Sequence, residues 1–479
     1  MRYDDFLHIY NAGPEATYKL LISMMENNLK QNAHLSQLES RVQELEARTN
    51  KNSDNSNKPS SSDPFIKPKS RRKKSGKTPG GQKGRDGKTL EMTQHPDYIE
   101  KHRVMSCCGC GKNLENQTVK TVEKRQVFDI PPQKIIITEH QSEKKTCPHC
   151  GTETGAAFPV GVERPIQYGT YLKSALVYLN QYQMIPYKRT LELISDFYNH
   201  QISEGTLFNS ITAAYNALEP VEEKTIELLL QSPVNYADET GLRINGKLHW
   251  MHVLCNGNLT HYAPHARRGM KALEDIDILT RYQGILVHDY WKPYFKLICE
   301  HGLCNAHHLR ELTGIQELTS QKWPQELSEL LLEIKNFIEN NPAGLSLTAS
   351  QIDCFSKRYD LLIEKGYLEN PPPPESAVKK RGRKKQSKAR NLLGRLKENK
   401  REALAFMYDH RVNFDNNIAE RAIRMVKVKQ KVSGEFRSEN GAKMFCRIRG
   451  YISMIKKNSL PVLEAINCAL MNRPCMPQQ

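Results

Sequence analysis

The stretch from residue 234 to 289 limits the fold more than any other part of the chain. Segments 234–244, 248–255 and 259–264 are rich in β-branched and aromatic residues, and Asn245-Gly246 and Asn256-Gly257 divide them. Asn-Gly pairs tolerate the positive φ of a tight hairpin turn, so the spacing predicts three successive antiparallel strands. A helix over 272–282 comes next, then a wholly apolar strand, Gly284-Ile285-Leu286-Val287, that ends at His288-Asp289. A strand this apolar is covered on both faces, as in a parallel sheet. The order predicts an α/β domain of three antiparallel strands, a crossover helix and a buried parallel strand.

Several smaller units precede this core. Leu21, Met24, Asn28, Gln31, Leu35, Leu38, Val42 and Leu45 recur at alternating steps of three and four, the a/d rhythm of a coiled coil. The segment 1–48 is therefore predicted as a helix that dimerises, with polar Asn28 and Gln31 interrupting the stripe and Asn28 as a register device; an amphipathic helix packed on its own protein is the other reading. Across 49–94 Asn, Ser, Lys, Pro and Gly dominate, and order is expected to fail. Ten Lys and Arg fall within 67–88, among them Arg71, Arg72, Lys73, Lys74, Lys83 and Arg85, against the single Asp86. A run of that kind is a solvated arm whose natural partner is nucleic acid.

A cysteine module is expected over 95–160. Cys107-x2-Cys110 and Cys147-x2-Cys150 each run directly into a glycine, Gly111 and Gly151, with a β-rich segment at 134–138 between them. Two such knuckles place four thiolates tetrahedrally around one structural zinc; Cys108 is the spare, because choosing it leaves a cramped CxC. Residues 165–232 read as helices. A helix over 189–198, a short turn and a helix from Glu204 capped by Ser203 give a helix-turn-helix-like layout. Generic helical packing explains that layout equally well.

Beyond the first core segment (233–310), the stretch 311–405 is a helical insertion broken by Pro371 to Pro374. Its second basic block, 379–401, holds twelve Lys and Arg, beginning Lys379, Lys380, Arg381, Arg383, Lys384 and Lys385. Residues 406–456 return to the core through a helix with Ile418, Ala419, Ala422, Ile423 and Val426 on one side and Glu420, Arg424 and Lys427 off that stripe. A C-terminal element fills 457–479.

Net charge is 70 − 53 = +17, which favours a polyanionic partner because phosphate neutralisation releases condensed counterions. No apolar run approaches membrane-spanning length and the N-terminus lacks a signal-peptide core, so a cytoplasmic protein is expected.

Phosphodiester cleavage by in-line attack needs two hard divalent cations held by carboxylates. The chain offers Asp238 inside a strand, Asp289 at the end of a buried strand and Glu420 on a later helix. In an RNase H-like sheet these three places converge at one edge, which makes the predicted fold class a multidomain α/β protein with an RNase H-like core. Each acid also has an ordinary structural reading, and Glu239, Asp415 and Glu439 meet the same chemical requirement.

Tyr236-Ala237-Asp238-Glu239-Thr240-Gly241, His288-Asp289-Tyr290-Trp291-Lys292-Pro293-Tyr294 and Asn416-Asn417-Ile418-Ala419-Glu420-Arg421 closely resemble the DDE transposases of the bacterial insertion-sequence-66 family. Gly80-Gly81-Gln82-Lys83-Gly84 resembles that family's linker motif, with Arg85 in place of its usual His. Cys147-Pro148-His149-Cys150-Gly151 resembles its zinc element, and Ile202-Ser203-Glu204-Gly205-Thr206 its helical region. Cys304-x2-His307 with Arg310 looks like the signature that opens its insertion.

The resemblance implies Asp238, Asp289 and Glu420 as ligands of two magnesium ions, with manganese as a substitute; Arg424 reads equally as a phosphate contact or as an i,i+4 salt-bridge partner of Glu420. It implies cleavage at the ends of a mobile element followed by joining of the freed 3′-hydroxyls to target DNA. The implied partners are double-stranded DNA, a second copy of the chain and accessory transposition proteins. Cys304 and His307 read as structural, with a second metal site as the alternative. Two other functions stay open on the residues alone: an inactive, domesticated DNA-binding regulator, and a nuclease that cuts without joining.

Overall fold

The computed structural model describes residues 3–49, 51–52, 55–56, 90–340, 347–372 and 386–478. The first basic block, with Arg71, Arg72, Lys73, Lys74, Lys83 and Arg85, lies outside these residues, as do Lys379, Lys380, Arg381, Arg383, Lys384 and Lys385. Contacts divide the chain into two units: Met1–Ile66 with Ala156–Glu192 and Ile202–Gln479, and Lys67–Gly155 with Leu193–Gln201.

The N-terminal segment forms α1 (Tyr3–Asn11) and the long α2 (Pro14–Thr49), separated at Gly13, whose φ of 105° favours glycine. Leu21, Met24, Leu35, Leu38, Val42 and Leu45 of the predicted seam are all exposed in the single chain.

The second unit contains a short hairpin, β1 (Lys144–Thr146) and β2 (Glu153–Gly155), paired antiparallel over three residues. No described side chain from 90 to 155 is buried. The strand predicted over 134–138 does not form. Ile136 and Ile137 are 82% and 90% exposed, and β-propensity without a partner strand or a covered face does not make a strand.

The helices before the core are α3 (Thr170–Val177), which runs into a π-helical turn at Tyr178–Tyr182, α4 (Tyr187–Tyr198), α5 (Glu204–Ala217) and α6 (Glu219–Gln231). The expected cap is present: Ser203 accepts the Thr206 N–H at 3.1 Å. Helix α5 buries Leu207, Ser210, Ile211 and Ala214 and packs on α3, and it carries no Lys or Arg.

The core sheet has five strands in the order β5-β4-β3-β6-β7. Strands β3 (Val234–Ile244), β4 (Lys247–Cys255) and β5 (Thr260–His265) form an antiparallel meander. Asn245 and Gly246 turn the first hairpin with φ of 48° and 73°, as type I′ demands. The second connection works differently: Asn256 Oδ1 accepts the N–H groups of Asn258 and Leu259, and Gly257 needs no positive φ. Helix α7 (Met270–Ile276) is shorter than the predicted 272–282, because Asp277 turns left-handed at φ 59° and ends it. Strands β6 (Ile285–His288) and β7 (Glu300–Leu303) add parallel to β3, and β7 has no counterpart in the sequence-based expectation.

The insertion forms α8 (Asn305–Thr319), α9 (Trp323–Glu339), α10 (Ala349–Glu369), α11 (Lys388–Glu398), α12 (Lys400–Ala403) and α13 (Ala405–Tyr408). Trp323 and Tyr359 are fully buried at its centre. Gly366 lets α10 and α11 approach, since a Cβ there would lie 2.5 Å from the Leu393 side chain. The end of the second basic block is thus part of a packed domain. Arg390 donates to the Asn370 carbonyl, Arg395 pairs with Glu311, and Lys400 reaches Asp360 at 2.7 Å.

The chain closes with α14 (Asn417–Ser433), α15 (Glu439–Lys457) and α16 (Val462–Leu470). Helix α14 lies across β3 and β4 on its buried Ala419, Ala422, Ile423 and Val426, and α15 packs on β5. Among the described residues no helix is long and apolar enough to cross a membrane.

Candidate active site

Asp238 and Asp289 converge through strand register. Tyr236 pairs with Val287, and each acid lies two residues further on, so side-chain alternation sends both carboxyls to the same side of the sheet. Glu420, in the first turns of α14, is brought over them by packing of that helix on β3 and β4.

Asn416, just before α14, fixes the approach. Its side chain donates to the Ala237 carbonyl at 2.8 Å, next to Asp238, and its backbone N–H donates to Cys304 Sγ at 3.2 Å. Asn305 locks the same corner by donating from its side chain to the Ala403 carbonyl at 2.9 Å and from its backbone to the Phe414 carbonyl.

The charges of these acids reach one another. The Asp238 carboxyl is held well above the usual range, first by burial and then by the charges of Glu239, Asp289 and Glu420. Among the described residues Asp238 and Asp289 have no cationic partner; each accepts one backbone N–H, from Glu239 at 2.8 Å and from Trp291 at 3.0 Å. Two half-buried carboxylates with no cation of their own suit hard divalent ions, although among the described residues the oxygens of Asp238, Asp289 and Glu420 are not drawn into one ligand group.

The three substitutes identified by chemistry are otherwise engaged. Burial, then Asp289, raises Glu239, which accepts from Arg268 at 2.7 Å and from the Tyr294 hydroxyl at 2.7 Å. The Arg268 guanidinium lies 4.8 Å from the rings of both Trp250 and Trp291. Asp415 accepts the backbone and side-chain N–H groups of Asn417, holding the start of α14. Glu439 opens α15 and faces His249 at 3.7 Å.

Glu420 does not pair with Arg424. It faces His307 Nδ1 at 3.9 Å, Arg310 at 4.0 Å and Cys304 Sγ at 4.0 Å. Arg424 is exposed with no ion-pair partner among the described residues. Cys304, His307 and Glu420 hold ligand atoms within 4.8 Å of one another, the one such group of three among the described residues. Burial pushes the Cys304 thiol up to about 12.

Buried imidazoles surround the site. Burial lowers His252 to about 4 and both His288 and His308 to about 3. Their folded values lie below the unfolded one, so the stability of the neutral forms is present above pH ~6.5 and is lost as pH falls. The loss is up to about 1.4 kcal/mol per pH unit for each ring. The raised Asp238 and Glu239 carboxyls have the opposite sign and offset part of it. Urea midpoints are expected to fall between pH 7 and 5.5, and to fall less in His308→Gln; midpoints flat over that range would refute the assignment.

In the cysteine module the two knuckles have the same geometry. Cys107 N–H donates to Lys112 O and Gly111 N–H to Cys107 O, both at 2.9 Å; Cys147 with Thr152 and Gly151 repeat the pattern at the same distances. Gly111 and Gly151 sit at φ 71° and 73°, where space around each is open, so backbone angle is what requires glycine. Backbone N–H groups of Cys110 and Gly109 lower the Cys107 thiol, and the Thr152 hydroxyl lowers Cys150. Each knuckle pairs its own two thiols, Cys107 with Cys110 and Cys147 with Cys150, and the four are not drawn into one cluster. Thiols on glycine-closed knuckles, two of them with a lowered pKa, fit zinc.

Three stretches of the chain match known protein families. Residues 165–444 match the Transposase IS66 family, residues 106–151 the zinc-finger binding domain of transposase IS66, and residues 15–91 a Family of unknown function (DUF6444). The first match spans more than half of the chain, which therefore belongs to the IS66 family of transposases. No curated protein matches it.

Proposed function

We propose that the chain is a DDE transposase that cleaves the ends of a mobile element and joins the freed 3′-hydroxyls to target DNA. The observation that carries the reading is the common register of Asp238 and Asp289 on neighbouring parallel strands, with Glu420 brought to them by α14. The sheet, antiparallel through its first three strands and parallel thereafter, supports an RNase H-like core interrupted by a helical insertion.

Asp238 and Asp289 would hold both magnesium ions and Glu420 would complete one site, so that the metals supply nucleophile activation and leaving-group stabilisation. Water attacks the phosphodiester at each element end and the 3′-oxygen leaves as a hydroxyl. That hydroxyl attacks a target phosphodiester, forming a new ester bond as the target's own 3′-oxygen departs. Glu239, tied to Arg268 and Tyr294, holds β3 rigid beside Asp238. Exposed Arg424, one turn beyond Glu420, contacts a phosphate.

The remaining parts take the roles expected of them. Segment 1–48 dimerises through the seam of α2, whose described apolar side chains are exposed in the single chain. The linker 49–94 supplies sequence-independent affinity. The module 95–160 is built on zinc held by Cys107, Cys110, Cys147 and Cys150, and it reads bases together with α5 of the helical region 165–232.

Purified protein incubated with magnesium and a plasmid carrying its own element ends tests the reading. End-specific nicks with joined products are expected. Nicks alone would identify a nuclease, and binding without nicks a regulator. Deleting 67–88 should weaken binding to end-specific and scrambled duplexes by similar factors and flatten the slope of log affinity against log salt. Lost discrimination with an unchanged slope would mean that the linker reads sequence.

A further inference from the structure

We propose that Cys304, His307 and Glu420 form a second metal site, selective for zinc over magnesium, which withdraws Glu420 from the catalytic set when filled. The three residues come from two elements. Cys304 caps α8, His307 lies in its first turn, and Glu420 lies in the first turns of α14. Their ligand atoms lie within 4.8 Å of one another, against edges of roughly 3.4–3.8 Å in a tetrahedral zinc site. Glu420 Oε1 already lies 3.9 Å from His307 Nδ1 and 4.0 Å from Cys304 Sγ, so what remains is a small side-chain rotation that brings His307 and Cys304 closer to each other.

Two further observations point to a ligand. His307 Nδ1 is buried with no hydrogen-bond partner, although it faces Glu420 Oε1. A buried unpaired ring nitrogen is costly unless something binds it. Cys304 Sγ already accepts the Asn416 N–H at 3.2 Å, a bond that strengthens when sulfur carries charge.

A set of one sulfur, one nitrogen and one oxygen, with the fourth position open, is a zinc-type donor set, and magnesium gains little from sulfur or imidazole. Arg310, 4.0 Å from Glu420, and the N-terminus of α8 oppose any cation here. The site therefore needs soft-ligand bonding, which discriminates further against magnesium. Binding stands on the geometry alone; its effect on cleavage rests on the transposase reading.

The test uses the full chain with its knuckles first loaded with zinc, then titrated with cobalt. One equivalent that gives a sulfur-to-cobalt charge-transfer band is expected, beyond any cobalt taken by the carboxylates; Cys304→Ser abolishes the band, and His307→Ala requires more than about tenfold higher cobalt to develop it. No such equivalent, or a band that survives in Cys304→Ser, overturns the site. Should Cys304→Ser fail to fold by circular dichroism, Glu420→Gln decides: it must keep the band while weakening binding, and unchanged affinity refutes the proposal. Zinc that fills this site must also stop magnesium-dependent nicking, and nicking unaffected at full occupancy removes the competition. Cobalt binding in a chain that never nicks DNA would leave the metal site standing and sink the transposase reading instead.

Discussion

Asp238→Asn, Asp289→Asn and Glu420→Gln each lower strand cleavage and joining by about 10³-fold or more, while DNA binding and thermal stability persist. The expectation rests on charge, because the amides keep shape and hydrogen bonding. In the Asp238→Asn variant the new side-chain amide would still accept the Glu239 N–H, and in Asp289→Asn that of Trp291, through the same oxygen. What goes is the anionic oxygen that a hard cation requires, and metal stabilisation of a phosphoryl transition state is worth several kcal/mol, with each 1.4 kcal/mol a factor of about ten. For Asp238 the charge that is removed is one the fold holds at a cost, being half-buried among three other acids. Metal-free Asp238→Asn is therefore expected to melt no lower than the parent, and higher at neutral pH.

Glu239 separates the two kinds of acid in this corner. Glu239→Ala strands the Tyr294 hydroxyl and Arg268 beside a buried strand, at about 3 kcal/mol, toward the low end for a broken buried pair because Arg268 is partly exposed. Its signature is a lower melting temperature. Wild-type cleavage in any of the three primary variants, with Glu239 or Asp415 essential instead, would relocate the site.

How far the sequence foretold this corner depended on the range of the interaction involved. Strands β3 to β6 were legible because apolar alternation and Asn-Gly turns are written locally, and their bounds agree within a few residues. Strand β7 was not. Four residues, Glu-His-Gly-Leu, carry no strand signal, and they become a strand only because β6 offers an edge. The three acids could be read as candidates, but their meeting depends on a register 51 residues apart, 289 − 238, which no local pattern encodes. Asn416 lies inside a motif that pointed to Glu420, yet its bond to the strand beside Asp238 appears only in three dimensions. Cys304 and His307 were visible as a spacing, and the carboxylate that completes their group comes from 113 residues downstream, 420 − 307.

Chelation is expected to unfold the cysteine module while leaving the α/β core folded. The two parts differ in what holds them. The core buries Trp323, Tyr282, Tyr294 and Tyr359 with a continuous set of aliphatic side chains, whereas no described side chain from 90 to 155 is buried. The hairpin of β1 and β2 contributes three residue pairs, too little to stand alone in water. Structural zinc in small finger peptides binds with about 10–16 kcal/mol at pH 7, so a zinc held by the four cysteines would be the module's main source of folding free energy. Protein purified without chelator should carry one tightly held zinc, and removing it should open residues 95–155 to protease while the core keeps its thermal transition. Cys110→Ser should lose that zinc and Cys108→Ser should keep it, because only Cys110 has the two-residue spacing from Cys107 that the Gly111 turn closes. A module equally protease-resistant with and without zinc would mean that its fold has a source other than the metal.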